Sequence, residues 1–470
     1  MALFHSFSSF SLFFVFSTTL FSTFSISYQQ PILNSVEQES VYQVLHSINS
    51  DIPWRSLFPS DDLCFSSPHG VVCDYFTETS NVSSTETVHI VELNLGYVSD
   101  YTPNPPCTPN STLSPLLFTS FKYLRKLFFY KCFTETRVSV PDILPSFGSS
   151  LEELVFVDNP SLVGSISELL CNLTSLRRAV VTGNGFDGKI PNGVGGLLNL
   201  EELTLSRNGL SGGIPLSLSK LKNLKVLDLS HNYLEGNVPE PMGNLSELLK
   251  LDVSYNGFTG KIPESFKAMK KLEFLDMSFN RFGNFGVPLF LSEMPRLREV
   301  YLSGNRLGGQ IPDFWNELGG VTGIGFSDMG LIGNIPASMV VHLRSLCYLG
   351  LDNNKLEGTI PEEFGLLEFI NEINLENNSL SGRVPFSAKL SSKMGHKLKL
   401  GGNPGLCFDE SLMRRSAKNM SNLGQLKLCK KPHLPNPAQA SSYSLAKAQA
   451  QTPSMFMFVG LFFFVLNFHY

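Results

Sequence analysis

Between Leu151 and Asn403 the apolar and polar positions follow one pattern of 24 or 25 residues, repeated without a break. Aligned on its asparagine it reads L-x-x-L-x-L-x-x-N-x-L-x-G-x-I-P, as in Leu200 to Pro215. The asparagine recurs at Asn159, Asn184, Asn208, Asn232, Asn256, Asn280, Asn305, Asn354, Asn378 and Asn403, with Met329 in the slot between Asn305 and Asn354. The L-x-L pair alternates as a half-buried strand does, so both leucines point inward and their neighbours face water. The asparagine is expected to turn inward and satisfy backbone groups of the adjoining turn, about 1 kcal/mol net for each hydrogen bond. Ile-Pro at Pro191, Pro215 and Pro263, and Val-Pro at Pro239, stop a helix from running on. No repeat can hide its own leucines, so stability has to come from stacking, about 1.5–3 kcal/mol for each buried leucine. The pattern predicts an α/β solenoid of about 12 repeats with a parallel concave sheet.

The flanks are less regular. Val36, Val41, Val44, Leu45 and Ile48 have the spacing of a short amphipathic helix, followed by Trp54 and a loop from Cys64 to Cys73. Val88 to Leu95 alternates clearly and is predicted as the first strand. Ser99 to Ser120 reads as loop. Leu124 to Cys132 restates the strand, with Cys132 where the asparagine belongs. Within the array one residue is inserted around Gly283 to Pro288, and the seam at Gly319 to Leu331 is glycine-rich. The expected organisation is a leader over 1–27, an N-terminal cap over 28–100, the solenoid over 101–403 and a C-terminal cap over 404–431. A polar linker over 432–454 and a hydrophobic tail over 455–470 complete the chain.

Composition narrows the setting. A net charge of -5 with 16% charged residues offers no basic surface for nucleic acid. The apolar leader, ending in small residues near Ser27, reads as a secretory signal. Six N-x-S/T sequons, at Asn81, Asn110, Asn172, Asn244, Asn377 and Asn419, support export as glycosylation sites. Eight cysteines suit an oxidising compartment. Six of them cluster at the ends of the array, where disulfide loops can close a solenoid, so Cys64 is paired with Cys73, Cys107 with Cys132 and Cys407 with Cys429. Cys171 and Cys347 lie seven repeats apart, about 34 Å at the strand spacing, and are expected to be free thiols. Small residues around Ser441, a polar spacer and the apolar tail have the order of a glycosylphosphatidylinositol signal, a short membrane anchor being the alternative. Both anchored readings place the protein on the extracellular face of the plasma membrane, and plain secretion is the third reading.

No catalytic constellation emerges. The nine histidines occur singly, without metal-ligand spacing, no P-loop is present, and the G-x-S-x-G string at Gly209 to Gly213 is wording of the repeat itself, with no nucleophile elbow around it. No cofactor is implied and no enzyme is expected. Asp228, Asp252 and Asp276 should stand in one column and belong to the common L-D-L-S wording, which points to a structural or solvated role. Binding is the stronger reading. Just before the asparagine the repeats present Arg207, His231, Tyr255 and Phe279, and Phe274, Arg298 and Tyr301 are placed in a neighbouring column. Aromatic and arginine side chains dominate interfaces.

The phrases Leu227-Asp-Leu-Ser-His-Asn232 and Leu251-Asp-Val-Ser-Tyr-Asn256 resemble the plant-specific extracellular class of leucine-rich repeats. Trp54-Arg-Ser-Leu-Phe58, Gly70-Val-Val-Cys73 and Asp158-Asn-Pro-Ser-Leu-Val-Gly164 are similar to the Piriformospora indica-insensitive group of receptor-like proteins, which carry no kinase. The resemblance implies a cell-surface protein or co-receptor, binding a peptide or a receptor-kinase ectodomain and needed for a plant response to a root-colonising fungus. A secreted inhibitor of a microbial wall-degrading enzyme is the alternative.

Overall fold

In the computed structural model the described residues are 31–58, 62–79, 84–96, 104–141, 143, 147–409 and 426–429. The leader, Asn81, Asn419, Ser441, the linker and the tail lie outside them. One compact unit runs from Met1 to Leu428, and of the unit Cys429–Tyr470 only Cys429 is described.

The L-x-L segments build a 14-stranded sheet that begins with Val71–Thr79 and Ser84–Leu95 and ends with Leu398–Lys399. From Ser84–Leu95 onward every pairing is parallel and in register, each repeat laid on the last, as between Leu227 and Leu251 or Leu251 and Leu275. The first pairing differs from expectation. Cys64 to Cys73 leads into a strand, Val71–Thr79, which pairs antiparallel with Ser84–Leu95 and covers the edge of the sheet. A lone strand without the leucine phrase is invisible to a pattern built on that phrase.

The helix Ser35–Ile48 closes this end, its first turn capped by Asn34, whose Oδ1 accepts the Val36 N–H at 2.8 Å. Val41, Val44, Leu45 and Ile48 are fully buried, whereas Val36 is 72% exposed and takes no part in the seam. Trp54 is buried and its indole N–H donates to the Asn49 carbonyl at 2.8 Å. Cys64–Cys73 and Cys107–Cys132 are bonded as the spacing predicts, and both cysteines of the Cys407–Cys429 pair are disulfide-bonded. Cys171 and Cys347 are free thiols.

The inserted residue near Gly283 has a visible consequence on the return side. There the G-x-I-P segments form a second sheet of seven strands that stops at Arg281–Phe282, and a third of five strands starts at Ile332–Asn334. Among the described residues the intervening turn forms one isolated bridge, from Gln310 to Ile332. Behind most of the prolines the chain makes a single 3-10 turn, such as Leu216–Lys220 behind Pro215, and behind Pro336 it makes the short α-helix Ala337–His342.

The asparagine column binds the repeats to one another. Asn232 donates to the carbonyls of Leu205 at 2.9 Å, Leu229 at 3.1 Å and Ser230 at 3.1 Å, and accepts the Leu210 N–H at 3.1 Å. One buried amide thereby satisfies groups in two turns that could not reach water.

Candidate functional site

The register of the strands decides which side chains share the concave face. Leu251, Leu275, Val300, Ile324 and Leu349 are buried, so the residue on either side of each points outward. One outward row reads Lys250, Phe274, Glu299, Gly323, Tyr348. The next reads Asp252, Asp276, Tyr301, Gly325, Gly350.

Phe274, Arg298 and Tyr301 therefore do not form one column, contrary to the sequence reading. Phe274 lies opposite Glu299, Tyr301 opposite Asp276, and Arg298 stands one residue before its strand, where its Nε is 3.6 Å from Glu273. A one-residue error in a strand moves a side chain to another row. Phe274 and Tyr301 still meet, diagonally, with ring centroids 5.8 Å apart, and Tyr348 continues the run at 6.2 Å from Tyr301. Sequence reasoning missed Tyr348 and the glycines beside it. Their signal lies in the alignment of Gly323-Ile-Gly325 and Tyr348-Leu-Gly350 under Glu299-Val-Tyr301.

Arg207, His231, Tyr255 and Phe279 do share one column, at the rim of the sheet. Each has a left-handed backbone, with φ of 54°, 54°, 52° and 53°. That conformation is unfavourable for bulky L-residues, and the next turn holds it: the N–H groups of His231, Tyr255 and Phe279 donate to the carbonyls of Ser254, Ser278 and Ser303 at 3.0, 2.9 and 2.7 Å. It also swings the following asparagine inward. The rings of His231 and Tyr255 stack at 4.1 Å, and those of Tyr255 and Phe279 at 4.3 Å. Phe279 then lies across Gly304, where a Cβ would come within 2.6 Å of the ring. Arg207 is ion-paired with Asp158 at 3.1 Å. The ring faces of this column are thus turned to one another, and only their edges are offered outward.

Asp228, Asp252 and Asp276 stand opposite one another as the wording predicts. Asp228 accepts the Ser230 hydroxyl at 2.7 Å and pairs with Lys250 at 2.9 Å. Asp276 accepts the Ser278 N–H at 2.8 Å. Burial raises the Asp252 carboxyl, with Asp228 adding to the effect, and pushes Asp276 up to about 6. Burial raises Tyr301 too, reinforced by its hydrogen bond to Glu299. Among the described residues no cluster of three or more metal-ligating side chains forms.

The Asp276 shift has a sign that can be tested. A carboxyl raised by the fold binds its proton more tightly folded than unfolded, so its effect favours the folded state at low pH and is lost as pH rises through about 6. Asp276→Asn keeps the acceptor for Ser278 and removes the buried charge. It is expected to stabilise the protein by about 1–2 kcal/mol above about pH 7 and by close to nothing below about pH 4. Thermal melting of both proteins across that range checks it, and an equal shift at both ends defeats it.

Beside the concave run, an opening of about 300 Å³ is lined by Glu152, Glu153, Arg177, Arg178, Glu201, Glu202 and Lys225. Arg177 pairs with Glu201 at 2.6 Å and Arg178 with Glu202 at 2.7 Å. Hydrogen bonds from Lys225 and then Arg177 hold the Glu201 carboxyl down at about 2.

The register and the asparagine column agree with what family models detect. Models of the leucine-rich repeat match residues 222–282, 296–318 and 345–367, and a model of two such repeats matches 198–239. The chain is built of leucine-rich repeats. Over 141 residues it is 35% identical to protein Too Many Mouths of Arabidopsis thaliana, covering 30% of this chain and 26% of that protein. Over 152 residues it is 34% identical to Piriformospora indica-insensitive protein 2 of the same plant, covering 32% and 33%. Receptor like protein 29, also of Arabidopsis thaliana, is 33% identical over 151 residues, covering 32% and 30%. The repeat chain thus spans a third or less of the length of each of these relatives.

Among solved structures, the ectodomain of the Arabidopsis receptor kinase HAESA in complex with an N-terminally extended IDA peptide hormone superimposes with a TM-score of 0.63. It is 23% identical, over 82% of this chain and 60% of that one. The PEPR1–AtPEP1 complex gives 0.57 at 23% identity, over 79% and 52%. Both likenesses are of fold.

Proposed function

We propose that this chain is a non-enzymatic, cell-surface receptor-like protein or co-receptor whose concave sheet binds a peptide or the ectodomain of a receptor kinase. The observation that carries the reading is the run Phe274, Tyr301, Tyr348. These are large, half-buried aromatic side chains on a rigid sheet whose core is already complete without them. Surface aromatics on a fixed backbone lose little conformational freedom on binding, which is why they anchor interfaces. The relatives named above support the receptor-like setting, and the name of one supports the finer part of the proposal, a response to a root-colonising fungus.

The export leader, the membrane tether at Ser441 and glycosylation belong to the same proposal. Asn110, Asn172, Asn244 and Asn377 are exposed in the structure, as a glycosylated asparagine must be. Asn377 occupies the left-handed rim position, so a glycan there flanks the C-terminal end of the concave face. Among the described residues no helix is long and apolar enough to cross a membrane.

Crosslinking on intact root cells tests the binding face. The tagged wild-type protein is expected to capture a membrane-spanning kinase, and Phe274→Ala/Tyr301→Ala is expected to lower that capture about tenfold or more. Equal capture by a variant with unchanged melting temperature removes this face from the proposal.

A further inference from the structure

Three outward positions in neighbouring strands, Gly323, Gly325 and Gly350, carry no side chain, and two tyrosines use the space. A Cβ at Gly323 would stand 2.7 Å from the Tyr301 hydroxyl oxygen, and one at Gly325 would stand 2.6 Å from the Tyr301 ring. At Gly350 it would stand 2.6 Å from the Tyr348 hydroxyl oxygen. The glycines let both rings lie down against the sheet, so that one face of each rests on backbone and the other is turned away from it. Tyr301 is further fixed by Glu299, which accepts its hydroxyl at 2.8 Å.

The surroundings of this shelf are acidic. Asp276 and Glu299 border Tyr301, and Asp352 lies beyond Tyr348, two residues after Gly350. All three are partly accessible, and among the described residues none is ion-paired. The nearby lysines are committed elsewhere, Lys250 to Asp228 at 2.9 Å and Lys399 to Glu372 at 2.8 Å. The protein contains its own small version of what such a place holds: the Lys250 ammonium sits 5.4 Å from the centre of the Phe274 ring while it pairs with Asp228.

We propose that the Tyr301–Tyr348 shelf seats an arginine side chain of the peptide that the concave face binds; the inference rests on the docking reading above. A guanidinium is flat, stacks on a tyrosine face and turns its N–H groups outward in its own plane, where carboxylates can accept them. An ammonium answers the charge but not the flat ring, and an anionic ligand is repelled by Asp276, Glu299 and Asp352.

The experiment selects binders from a random dodecapeptide display library on the full-length protein, then measures synthetic copies by interferometry. Arginine is expected to be enriched among the binders. Changing it to citrulline, which keeps the shape and loses the charge, is expected to weaken binding about tenfold or more, and changing it to lysine to weaken it a few-fold. Glu299→Gln and Tyr348→Leu, which spare the glycines and the core, are expected to narrow the arginine-to-citrulline difference. Binders that lack arginine, or tolerate citrulline, overturn the inference and leave the docking face standing. Binders recovered equally well by Phe274→Ala/Tyr301→Ala overturn the docking face itself, and the inference with it.

Discussion

Asn354→Ala is expected to lower the stability of the chain by about 3–5 kcal/mol, more than the same change at Asn280. Asn280 accepts one N–H, from Phe258 at 3.0 Å, and donates to three carbonyls. Asn354 also donates to three carbonyls, of Phe326, Leu351 and Asp352, but accepts two N–H groups, from Met329 at 3.1 Å and Leu331 at 3.0 Å. The Leu331 bond is the counterpart of the one Phe258 gives Asn280, and the Met329 bond is additional to it. Met329 itself is buried, and its carbonyl takes the Gly308 N–H at 2.9 Å. Alanine at 354 leaves two N–H groups without that partner at the seam where Met329 replaces the asparagine. Because each repeat touches only its neighbours, the loss also uncouples the repeats on the N-terminal side of the seam from those on its C-terminal side. Denaturant unfolding should show a lower midpoint and a broadened or split transition for Asn354→Ala. A single sharp transition no lower than that of Asn280→Ala would contradict the account.

The second large effect lies at the N-terminal end of the solenoid. Cys107 and Cys132 are joined across a sequence separation of 25, and Cys132 is fully buried. A loop of that length restricts the unfolded chain by about 3 kcal/mol in the chain-entropy picture. Cys107→Ser/Cys132→Ser is expected to lose about that much. The array should survive, since Asn159 still accepts the N–H groups of residues 132 and 133, at 2.8 and 3.2 Å in the native protein. The segment from residue 104 to 125 should become the first site of protease cleavage. Wild-type melting and an unchanged cleavage pattern would show that the bond contributes little.

Several features are legible in the sequence because they are local and repeated. The pairing of cysteines into short loops, the free thiols at Cys171 and Cys347 and the inward asparagines each derive from one repeat and the rule that repeats stack. The antiparallel hairpin is not legible, because Val71–Thr79 occurs once and carries no repeat to align. Nor is the geometry of the rim. That Arg207, His231, Tyr255 and Phe279 precede the asparagine is evident from the order of residues, but their left-handed backbone and mutual stacking depend on the next turn of the coil.

What the amino-acid order determined by itself is the solenoid: the strand, the inward asparagine, the Ile-Pro stop, and the phase at which each recurs. These are set by side-chain alternation and turn chemistry within one period. What only the tertiary structure decided is the character of the concave face. Tyr301 lies flat because the residues one full turn later, Gly323 and Gly325, have no Cβ to lift it. Asp276 holds its proton to an unusual pH because burial depletes the water around it. Both depend on neighbours about a turn of the coil away along the chain and about 4.8 Å away in space, a distance that strand pairing alone establishes.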